Sequence, residues 1–79
     1  MKKRVKFTFP EGLVTDPLIY NLGRRFKVST NIRRADIRED TGWVVLELEG
    51  IESEVISSID WVIAAGVRVD LVGGDVIEG

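Results

Sequence analysis

Two glutamates at alternate positions, Glu47 and Glu49, are the first residues of this 79-residue chain whose type and spacing suggest chemistry. Paired carboxylates can divide general acid and general base roles when their environments separate their pKa values. Lys6 and Arg68 are expected to lie near them. Neither glutamate, however, has a nucleophile or a metal ligand beside it. Because alternating charges on an exposed strand usually form cross-strand pairs, we interpret both glutamates as partners of basic residues.

A glycine pair, Gly73 and Gly74, is the second feature with possible chemistry, because glycine-rich loops can cradle phosphates. Such a loop needs a strand, the glycines and a following helix, in that order. Here no helical pattern follows the glycines. The pair is therefore a weak match to a phosphate-binding loop, and the terminal segment is expected to fray.

The composition excludes several kinds of site. The chain has no cysteine and no histidine, so a disulfide, a thiolate-ligated metal or an ordinary zinc site cannot be built within it. No cofactor is predicted, and the absence of a histidine base or an organised triad makes an enzyme the least favoured class. The net charge of −2 argues against a generic nucleic-acid binder.

The N-terminus predicts a cytoplasmic location. Met1-Lys2-Lys3-Arg4 is basic, but an alternating stretch follows it instead of the apolar run of a secretory signal. No segment approaches the roughly 20 apolar residues that cross a bilayer, so no membrane insertion is expected. Met1 directly before the first predicted strand favours a complete small protein over an excised domain.

The first half of the chain predicts a strand, a helix and a second strand. Alternation marks the first strand, and Asp16-Pro17 supplies an N-cap and a first-turn proline for the helix. Gly23 is expected to let this helix pack closely on the sheet. The apolar stripes are Val5, Phe7 and Phe9 in the strand and Leu18, Ile19, Leu22 and Phe26 in the helix.

The second strand changes phase in its middle. Thr30 and Ile32 share a face with Val28, whereas Ala35 and Ile37 fall in the opposite phase. A β-bulge near Arg33-Arg34 would keep both sets directed inward. Glu39-Asp40-Thr41-Gly42 then predicts a hairpin loop in which the glycine supplies a positive φ.

The second half predicts a strand, a helix and a last strand. Gly66 is expected to end the helix in a left-handed conformation. The apolar positions are Val44, Leu46 and Leu48 in the third strand, Val55, Ile59, Val62 and Ile63 in the helix, and Val67, Val69 and Leu71 in the last strand. The order βαββαβ predicts a single domain over residues 1–79 of the α+β class. Its expected architecture is a ferredoxin-like sandwich, with a four-stranded antiparallel sheet and both helices on one face.

One face of this sheet should stay uncovered by helices. Its expected residues are mostly polar or charged, which is typical of a solvated antiparallel sheet. They are Arg4, Lys6, Thr8, Ser29, Asn31, Asp36, Arg38, Trp43, Val45, Glu47, Arg68 and Asp70. Trp43 and Val45 are the apolar members, and they mark a candidate subunit contact or ligand wall.

The run from Phe26 to Ile37, the turn Asp40-Thr41-Gly42 and the strand that follows resemble the core signature of the NIL domain. Further matching features are Pro17-Leu18, Leu46-Glu47-Leu48-Glu49-Gly50 and Ala65-Gly66-Val67, so the resemblance covers nearly the whole chain. NIL domains are small regulatory modules at the C-terminus of methionine-importer ATPases, and they also occur alone or joined to ferredoxin-like iron–sulfur modules. They are similar to ACT-type amino-acid sensors.

The resemblance implies a ligand site at the second strand. The family's Asn-Ile-Leu tripeptide corresponds to Asn31-Ile32-Arg33, with Arg33 in place of leucine. The Asn31 amide can donate to and accept from the charged groups of a bound amino acid. It could equally bond its own backbone and stabilise the bulge. Ile32 is expected to fill the core, and Arg33 can pair with a ligand carboxylate.

The resemblance further implies a non-enzymatic module that senses methionine or a related sulfur metabolite at the interface of a homodimer, with a transporter ATPase or a ferredoxin-like protein as partner. The alternative is an accessory of sulfur metabolism that binds no ligand and docks through the open sheet. RNA binding shares the element order, but the outward residues Arg4, Lys6 and Thr8 leave the first strand without an aromatic platform.

Overall fold

The computed structural model describes residues 1–12 and 17–72 of the chain. The order βαββαβ is confirmed, and the bounds are β1 Lys2–Phe9, α1 Leu18–Arg25, β2 Ser29–Ile37, β3 Gly42–Glu49, α2 Glu52–Ala64 and β4 Arg68–Leu71. The strands form one antiparallel sheet in the order β2-β3-β1-β4. This is the expected α+β ferredoxin-like sandwich. Its two central strands are β1 and β3.

The core lies between the sheet and the two helices. The inward residues of β1 and β3 are buried, as the alternation predicts: Val5, Phe7, Phe9, Val44, Leu46 and Leu48. Leu18 and Leu22 of α1 and Val55 and Val62 of α2 cover them. Full burial of one such aliphatic side chain contributes about 1.5–3 kcal/mol, so this cluster dominates the stability of a domain this small.

Helix α1 begins one residue later than the proline pattern suggests. Pro17 directly precedes the helix, and its carbonyl oxygen accepts the first hydrogen bond, from Asn21 N at 3.0 Å. Asp16, the expected N-cap, lies outside the described residues, as do Gly73 and Gly74. Gly23 is exposed, and a Cβ there would meet no atom within 4 Å. The expectation that Gly23 packs closely on the sheet is therefore wrong.

The predicted bulge in β2 is confirmed. Ile32 pairs with Leu46 and Arg34 with Val45, so Arg33 is the extra residue. The residues of β2 face the sides that the sequence predicts, but the inward side chains of Ile32 and Ile37 are not covered. Ile32 is 54% exposed and Ile37 is 52% exposed, because β2 is an edge strand and the contact of α1 with it leaves these two side chains uncovered. The prediction that Ile32 fills the core is wrong.

The β2–β3 hairpin closes with a hydrogen bond from Arg38 N to Thr41 O, at 2.7 Å. Gly42 is the first residue of β3 and its φ is not positive, which corrects the expected role of this glycine. The close approach of Ile37 explains why a glycine, which has no Cβ, stands at this position. A Cβ at Gly42 would lie 2.8 Å from Ile37 Cδ1 and 3.2 Å from Ile37 Cα.

Helix α2 ends as predicted, with Gly66 at φ +97°. Its buried face is made by Val55, Ser58 and Val62, with Ile59 partly buried. The Ser58 hydroxyl donates to Val55 O at 2.7 Å, which satisfies this polar group inside the core. Ile63, expected in the buried stripe, is 53% exposed and lies on the outer side of the helix. The stripe is therefore narrower than the apolar pattern suggests.

Candidate functional site on the open sheet face

The surface of the sheet opposite the helices, here called the open face, has its side chains arranged in cross-strand rows. Lys6 lies between Val45 of β3 and Asp70 of β4, and Val45 in turn faces Arg34 of β2. The neighbouring rows are Asn31, Glu47 and Arg4 on one side and Asp36, Trp43, Thr8 and Arg68 on the other. The register therefore confirms the outward positions expected from the sequence and adds Arg34 to them.

Trp43 is the aromatic centre of the open face. Lys6 Nζ lies 5.1 Å from its ring centroid, and the Arg34 guanidinium carbon lies 6.0 Å from it. Both distances are within the range of cation–π attraction. Trp43 and Val45, the two candidate interface residues, are both half-buried in the single chain. Neither Lys6 nor Arg34 forms an ion pair within the described part of the chain, so this centre carries uncompensated positive charge.

Glu47 is a cross-strand partner of a basic residue, as interpreted from the sequence. Arg4 Nη2 lies 2.5 Å from Glu47 Oε2, and Arg4 Nε donates to the same oxygen at 3.2 Å. The Arg4 hydrogen bond lowers the pKa of Glu47 from its ordinary value, and the charges of Arg4, Arg33 and Lys2 act in the same direction against the effect of desolvation. A carboxylate held ionised in this way is poorly suited to be a general acid.

The remaining members of the suspected acid/base group do not assemble. Glu49 is exposed and forms no ion pair with a residue of the described ranges, although Lys2 and Ser29 lie opposite it in the sheet. Arg68 Nε donates to Asp70 Oδ2 at 3.0 Å, so its partner is a neighbour on its own strand. The two glutamates therefore have different surroundings and no shared reaction centre.

The three residues implied as ligand contacts lie in the middle of β2 and do not share one surface. Asn31 faces outward opposite Glu47, Ile32 points to the helix side opposite Leu46, and Arg33 is the bulge residue between the two phases. All three are exposed. Within residues 1–12 and 17–72, the Asn31 side chain makes no hydrogen bond. Its amide is therefore free for a ligand and is not used to stabilise the bulge.

A hollow of about 310 Å³ lies on the open face at the β2–β3 hairpin end of the sheet. Its lining combines two opposite charges, two hydroxyls and two aromatic residues, and it consists of Thr8, Phe9, Asp36, Arg38, Thr41, Gly42 and Trp43. Arg38 Nε and Nη2 donate to the two Asp36 carboxylate oxygens, at 3.2 and 3.3 Å. Sequence reasoning placed Asp36 and Arg38 outward but did not single them out. The available signal was an acid and a base two residues apart on the same strand face.

A second hollow, of about 350 Å³, lies on the helix side and is lined by Asn21, Arg24, Arg25 and Trp61. The Arg25 guanidinium carbon is 5.9 Å from the Trp61 ring centroid, and Phe26 meets the same ring edge-on at 5.9 Å. No carboxylate is among these lining residues. Basic residues at this point also offset the partial negative charge of the α1 C-terminus.

The comparisons with known proteins agree with this fold. A family model described as the NIL domain matches residues 3–71. The chain belongs to the NIL domain family. The resemblance stated from the sequence is therefore confirmed over almost the whole of β1 to β4. Membership supports a regulatory role for this domain.

A solved structure shows the same arrangement of elements. The crystal structure of the C-terminal domain of an ABC transporter ATP-binding protein from Enterococcus faecalis matches with a TM-score of 0.79 and 19% sequence identity. The match covers 92% of this NIL domain and 86% of that chain. At this identity the likeness concerns the fold. No curated protein sequence matches the chain. Among the described helices, none is long and apolar enough to cross a membrane.

Proposed function

We propose that this NIL domain binds methionine or a related amino acid at an interface between two copies and that binding regulates a partner protein. The observation that carries the proposal is that β2 is an edge strand with exposed aliphatic side chains and a side-chain amide that has no hydrogen-bond partner within the described residues. This edge strand exposes Ile32 and Ile37 on the side where no helix covers them, and it presents the unpaired amide of Asn31 on the other side. A second copy would cover the aliphatic side chains, and a ligand would satisfy the amide.

The charge on the open face favours one of the two ways in which such sandwiches pair. Face-to-face packing would bring together two Trp43 centres, each with the uncompensated charges of Lys6 and Arg34. Like charges buried against each other cost several kcal/mol, by the general estimate for mismatched interfaces. Pairing through the edges of β2 keeps the two Trp43 centres apart and supplies hydrogen bonds to a free strand edge, and its own cationic side chains, Arg33 and Arg34, are exposed to water that screens them. We therefore infer edge-to-edge pairing.

The bulge favours a register for that pairing. On the helix side Ile32 and Ala35 flank the bulge, and on the open face Asn31 and Asp36 flank it in the same way. An antiparallel pairing of β2 with its copy that sets Ile32 opposite Ala35 also sets Asn31 opposite Asp36. Side chains then keep matching faces along the joined strands, which paired strands require. In this arrangement, Arg33 of each copy lies opposite Arg34 of the other at the symmetry axis, so four guanidinium groups meet there, and the carboxylate of the ligand is proposed to offset their charge.

In the proposed site, Asn31 contacts the charged groups of the amino acid. An amide offers both a donor and an acceptor, which suits a ligand that carries an ammonium and a carboxylate. Arg33 adds positive charge for the carboxylate, and Ile32 packs against the second copy on the other side of the joined sheet. Because ligand and second copy share the site, each should strengthen binding of the other by thermodynamic linkage.

The test is calorimetric titration of the full chain with L-methionine, with the oligomeric state read by light scattering. We expect saturable binding by a dimer and a loss of about tenfold or more in affinity for Asn31→Ala, the loss expected from removing one hydrogen bond to a charged group. Asn21→Ala on the helix side is the matched control and should bind as the wild type does. Absence of heat at millimolar methionine, homocysteine and S-adenosylmethionine would refute the proposal.

The edge-pairing step has its own test. Ile32→Asp should convert the dimer to monomer, because it removes the aliphatic contact with the second copy and places a carboxylate against the apolar side chain of its Ala35. Ile63→Asp changes an isoleucine of similar exposure on α2 and should leave the dimer intact. A dimer that survives Ile32→Asp and dissociates with Ile63→Asp would place the interface on α2 instead.

A second candidate function is docking of a protein partner on the open face, and the Trp43 centre is the observation that favours it. An aromatic ring flanked by Lys6 and Arg34 suits a partner surface that is acidic around an apolar anchor. A transporter ATPase or a ferredoxin-like protein of sulfur metabolism is the proposed partner, in the cytoplasm. A Trp43→Ala variant that captures the same partners as the wild type would contradict this function.

A further inference from the structure

The hollow on the helix side gathers three polar side chains of α1 and one aromatic side chain of α2. Asn21, Arg24 and Arg25 are spaced i, i+3 and i+4, so they are neighbours on the surface of α1. Trp61 of α2 lines the same hollow, whose volume is about 350 Å³. Small-molecule sites usually have volumes of about 300–1,000 Å³. Two cations, an amide and an indole ring are therefore within reach of one small ligand.

The two guanidinium groups of this hollow are held by aromatic rings. The Arg24 guanidinium carbon lies 5.6 Å from the Tyr20 ring centroid, and that of Arg25 lies 5.9 Å from the Trp61 ring centroid. Within residues 1–12 and 17–72, neither arginine forms an ion pair. A ring attracts a guanidinium without neutralising it, and the N–H edge of the stacked group stays available. Both groups can therefore still bind an oxyanion.

The charge around the hollow favours an anion, although α1 ends there. A helix C-terminus carries about half a negative elementary charge, which the two arginines of the last turn exceed. On α2, Glu54 accepts a hydrogen bond from Lys27 N at 2.8 Å and forms no ion pair with either arginine. The hollow on the open face is less suited to an anion, because the Asp36 carboxylate is part of its lining.

Trp61 offers a surface for a planar ring beside the two arginines. The side chain is half-buried, and Phe26 meets it edge-on with the ring centroids 5.9 Å apart. This packing holds the indole in place while part of it lines the hollow. Nucleobases stack on aromatic side chains, since every base has a π face. The Asn21 amide can both donate and accept, which suits the polar edge of a base.

We propose that the helix-side hollow binds a nucleoside diphosphate: Arg24 and Arg25 hold the phosphate oxygens, and Trp61 contacts the base. Inorganic phosphate would use the arginines and leave the ring without a partner. A zwitterionic amino acid would find no carboxylate for its ammonium among the described lining residues. The residues of this site belong to the two helices and none is part of β2, so the inference goes beyond the proposed function and does not depend on it.

The first experiment compares ligands by calorimetry on the full chain, without added divalent cations. ADP should bind saturably. Adenosine, which lacks the phosphates, and pyrophosphate, which lacks the base, should each bind about tenfold or more weakly. Equal affinity for ADP and pyrophosphate would overturn the contact with the ring and with it the nucleotide assignment. Absence of ADP binding at millimolar concentration would overturn the site.

The second experiment locates the nucleotide by fluorescence. The chain has two tryptophans, so Trp61 is the remaining one in a Trp43→Phe background and Trp43 in a Trp61→Phe background. ADP should quench the emission of Trp61, because a base stacked on the ring changes its surroundings, and should leave that of Trp43 unchanged. Quenching of Trp43 alone would place the nucleotide on the open face and overturn the assignment to the helix side.

The third experiment compares variants of equal charge. Arg24→Gln and Arg25→Gln should each weaken ADP binding about tenfold or more. Arg34→Gln is the matched control, because Arg34 also lies over a tryptophan, with its guanidinium carbon 6.0 Å from the Trp43 ring centroid, and it should bind ADP as the wild type does. Equal losses in all three variants would show attraction to net charge alone and overturn the site.

Folding and the geometry of the contact are checked on the same variants. Arg24 and Arg25 are exposed, so thermal unfolding of Arg24→Gln and Arg25→Gln should stay close to that of the wild type. Arg25→Lys should bind ADP between the wild type and Arg25→Gln, since lysine keeps the charge without the planar fork. Binding of Arg25→Lys no better than that of Arg25→Gln, with folding intact, would overturn a charge contact at this position.

Methionine titration separates this inference from the proposed function. Arg24→Gln should bind methionine as the wild type does, because the proposed amino-acid site lies on β2. ADP binding by a chain that binds no methionine would support the nucleotide site and refute the amino-acid function. Methionine binding by a chain that binds no ADP would do the reverse.

Discussion

Arg4 on β1 and Glu47 on β3 face each other in the register of the sheet and form an ion pair, with Arg4 Nη2 at 2.5 Å from Glu47 Oε2. The side chains are 28% and 18% exposed, so the pair is more shielded than the other ion pairs of the open face. It ties the two central strands together on the side that has no helix. The same contact turns the glutamate from a candidate acid into a structural anion.

The first prediction concerns acid stability. The Arg4 hydrogen bond lowers the pKa of Glu47, so an unfolded chain takes up this proton at a higher pH than the folded one. The stability from the pair is therefore complete above the ordinary pKa of a glutamate and is lost as the pH falls through the lowered value. We expect Glu47→Gln to reduce the melting temperature at about pH 7 and to approach the wild type at about pH 3.

Thermal unfolding of the two proteins across that pH range checks the acid-stability prediction. Glu49→Gln is the matched control, since it removes a carboxylate of the same strand and face that has no partner within the described residues. A difference between wild type and Glu47→Gln that grows toward acid pH would show that the sign is wrong.

The second prediction is that Gly23→Ala stabilises the domain by about 0.4–1 kcal/mol. Gly23 lies in the interior of α1, is exposed, and has no neighbour within 4 Å of the position that a Cβ would take. Alanine therefore gains helix propensity and restricts the unfolded chain without a steric cost. Urea unfolding monitored by circular dichroism gives the change. A destabilised variant would mean that α1 packs against something at this point.

The third prediction is the opposite effect at Gly50. A Cβ there would lie 2.7 Å from Lys27 O, which is a backbone atom and cannot move alone. We expect Gly50→Ala to destabilise the domain by about 1–3 kcal/mol, the usual range for forced shifts in a packed region. The same urea titration measures it, with Gly23→Ala as the control for the chemical change itself. Unchanged stability would show that the segments around Lys27 and Gly50 can separate.

The fourth prediction compares two aliphatic residues that pair with each other across β2 and β3. Leu46→Ala removes a side chain with no solvent exposure and should cost about 2–5 kcal/mol. Ile32→Ala removes one that is about half exposed in the single chain, so its cost at high dilution should be below about 1 kcal/mol.

Denaturation at two protein concentrations completes the comparison of these two residues. A cost of Ile32→Ala that rises with protein concentration would support the proposed edge pairing, because a second copy would then bury this side chain. Equal costs for the two variants at high dilution would contradict the exposure of Ile32.

The central strands show how far the sequence reaches into the fold. Phe7 lies in a strand whose apolar and polar residues alternate, Leu46 alternates with glutamates toward the end of its strand, and both have no solvent exposure. The bulge at Arg33 was readable from the change of phase between Ile32 and Ala35, since a sheet with one dry face cannot tolerate a slip of one residue. These features depend on local periodicity, which the sequence carries directly.

The predictions that the structure contradicts all depended on contacts between elements, which the pattern within one element does not show. Ile32 and Ile63 have the right phase for burial, yet both are about half exposed, because phase indicates a direction and does not show whether another element lies there. Gly42 and Gly23 were assigned reasons that their surroundings do not support. Gly42 lies opposite Ile37 on the paired strand, and the close distance between these two residues cannot be predicted from the sequence pattern of either strand.

By itself, the sequence determined the order of elements, the inward and outward positions of the strands, the family and the candidate residues Asn31, Ile32 and Arg33. Only the tertiary structure decided that β2 is an uncovered edge, that Glu47 is held by Arg4, and that Asp36, Arg38 and Trp43 line one hollow. The physical reason is that side-chain direction follows from the backbone repeat of each segment. Coverage, pairing and shared hollows depend on how strands that are distant in sequence are placed side by side.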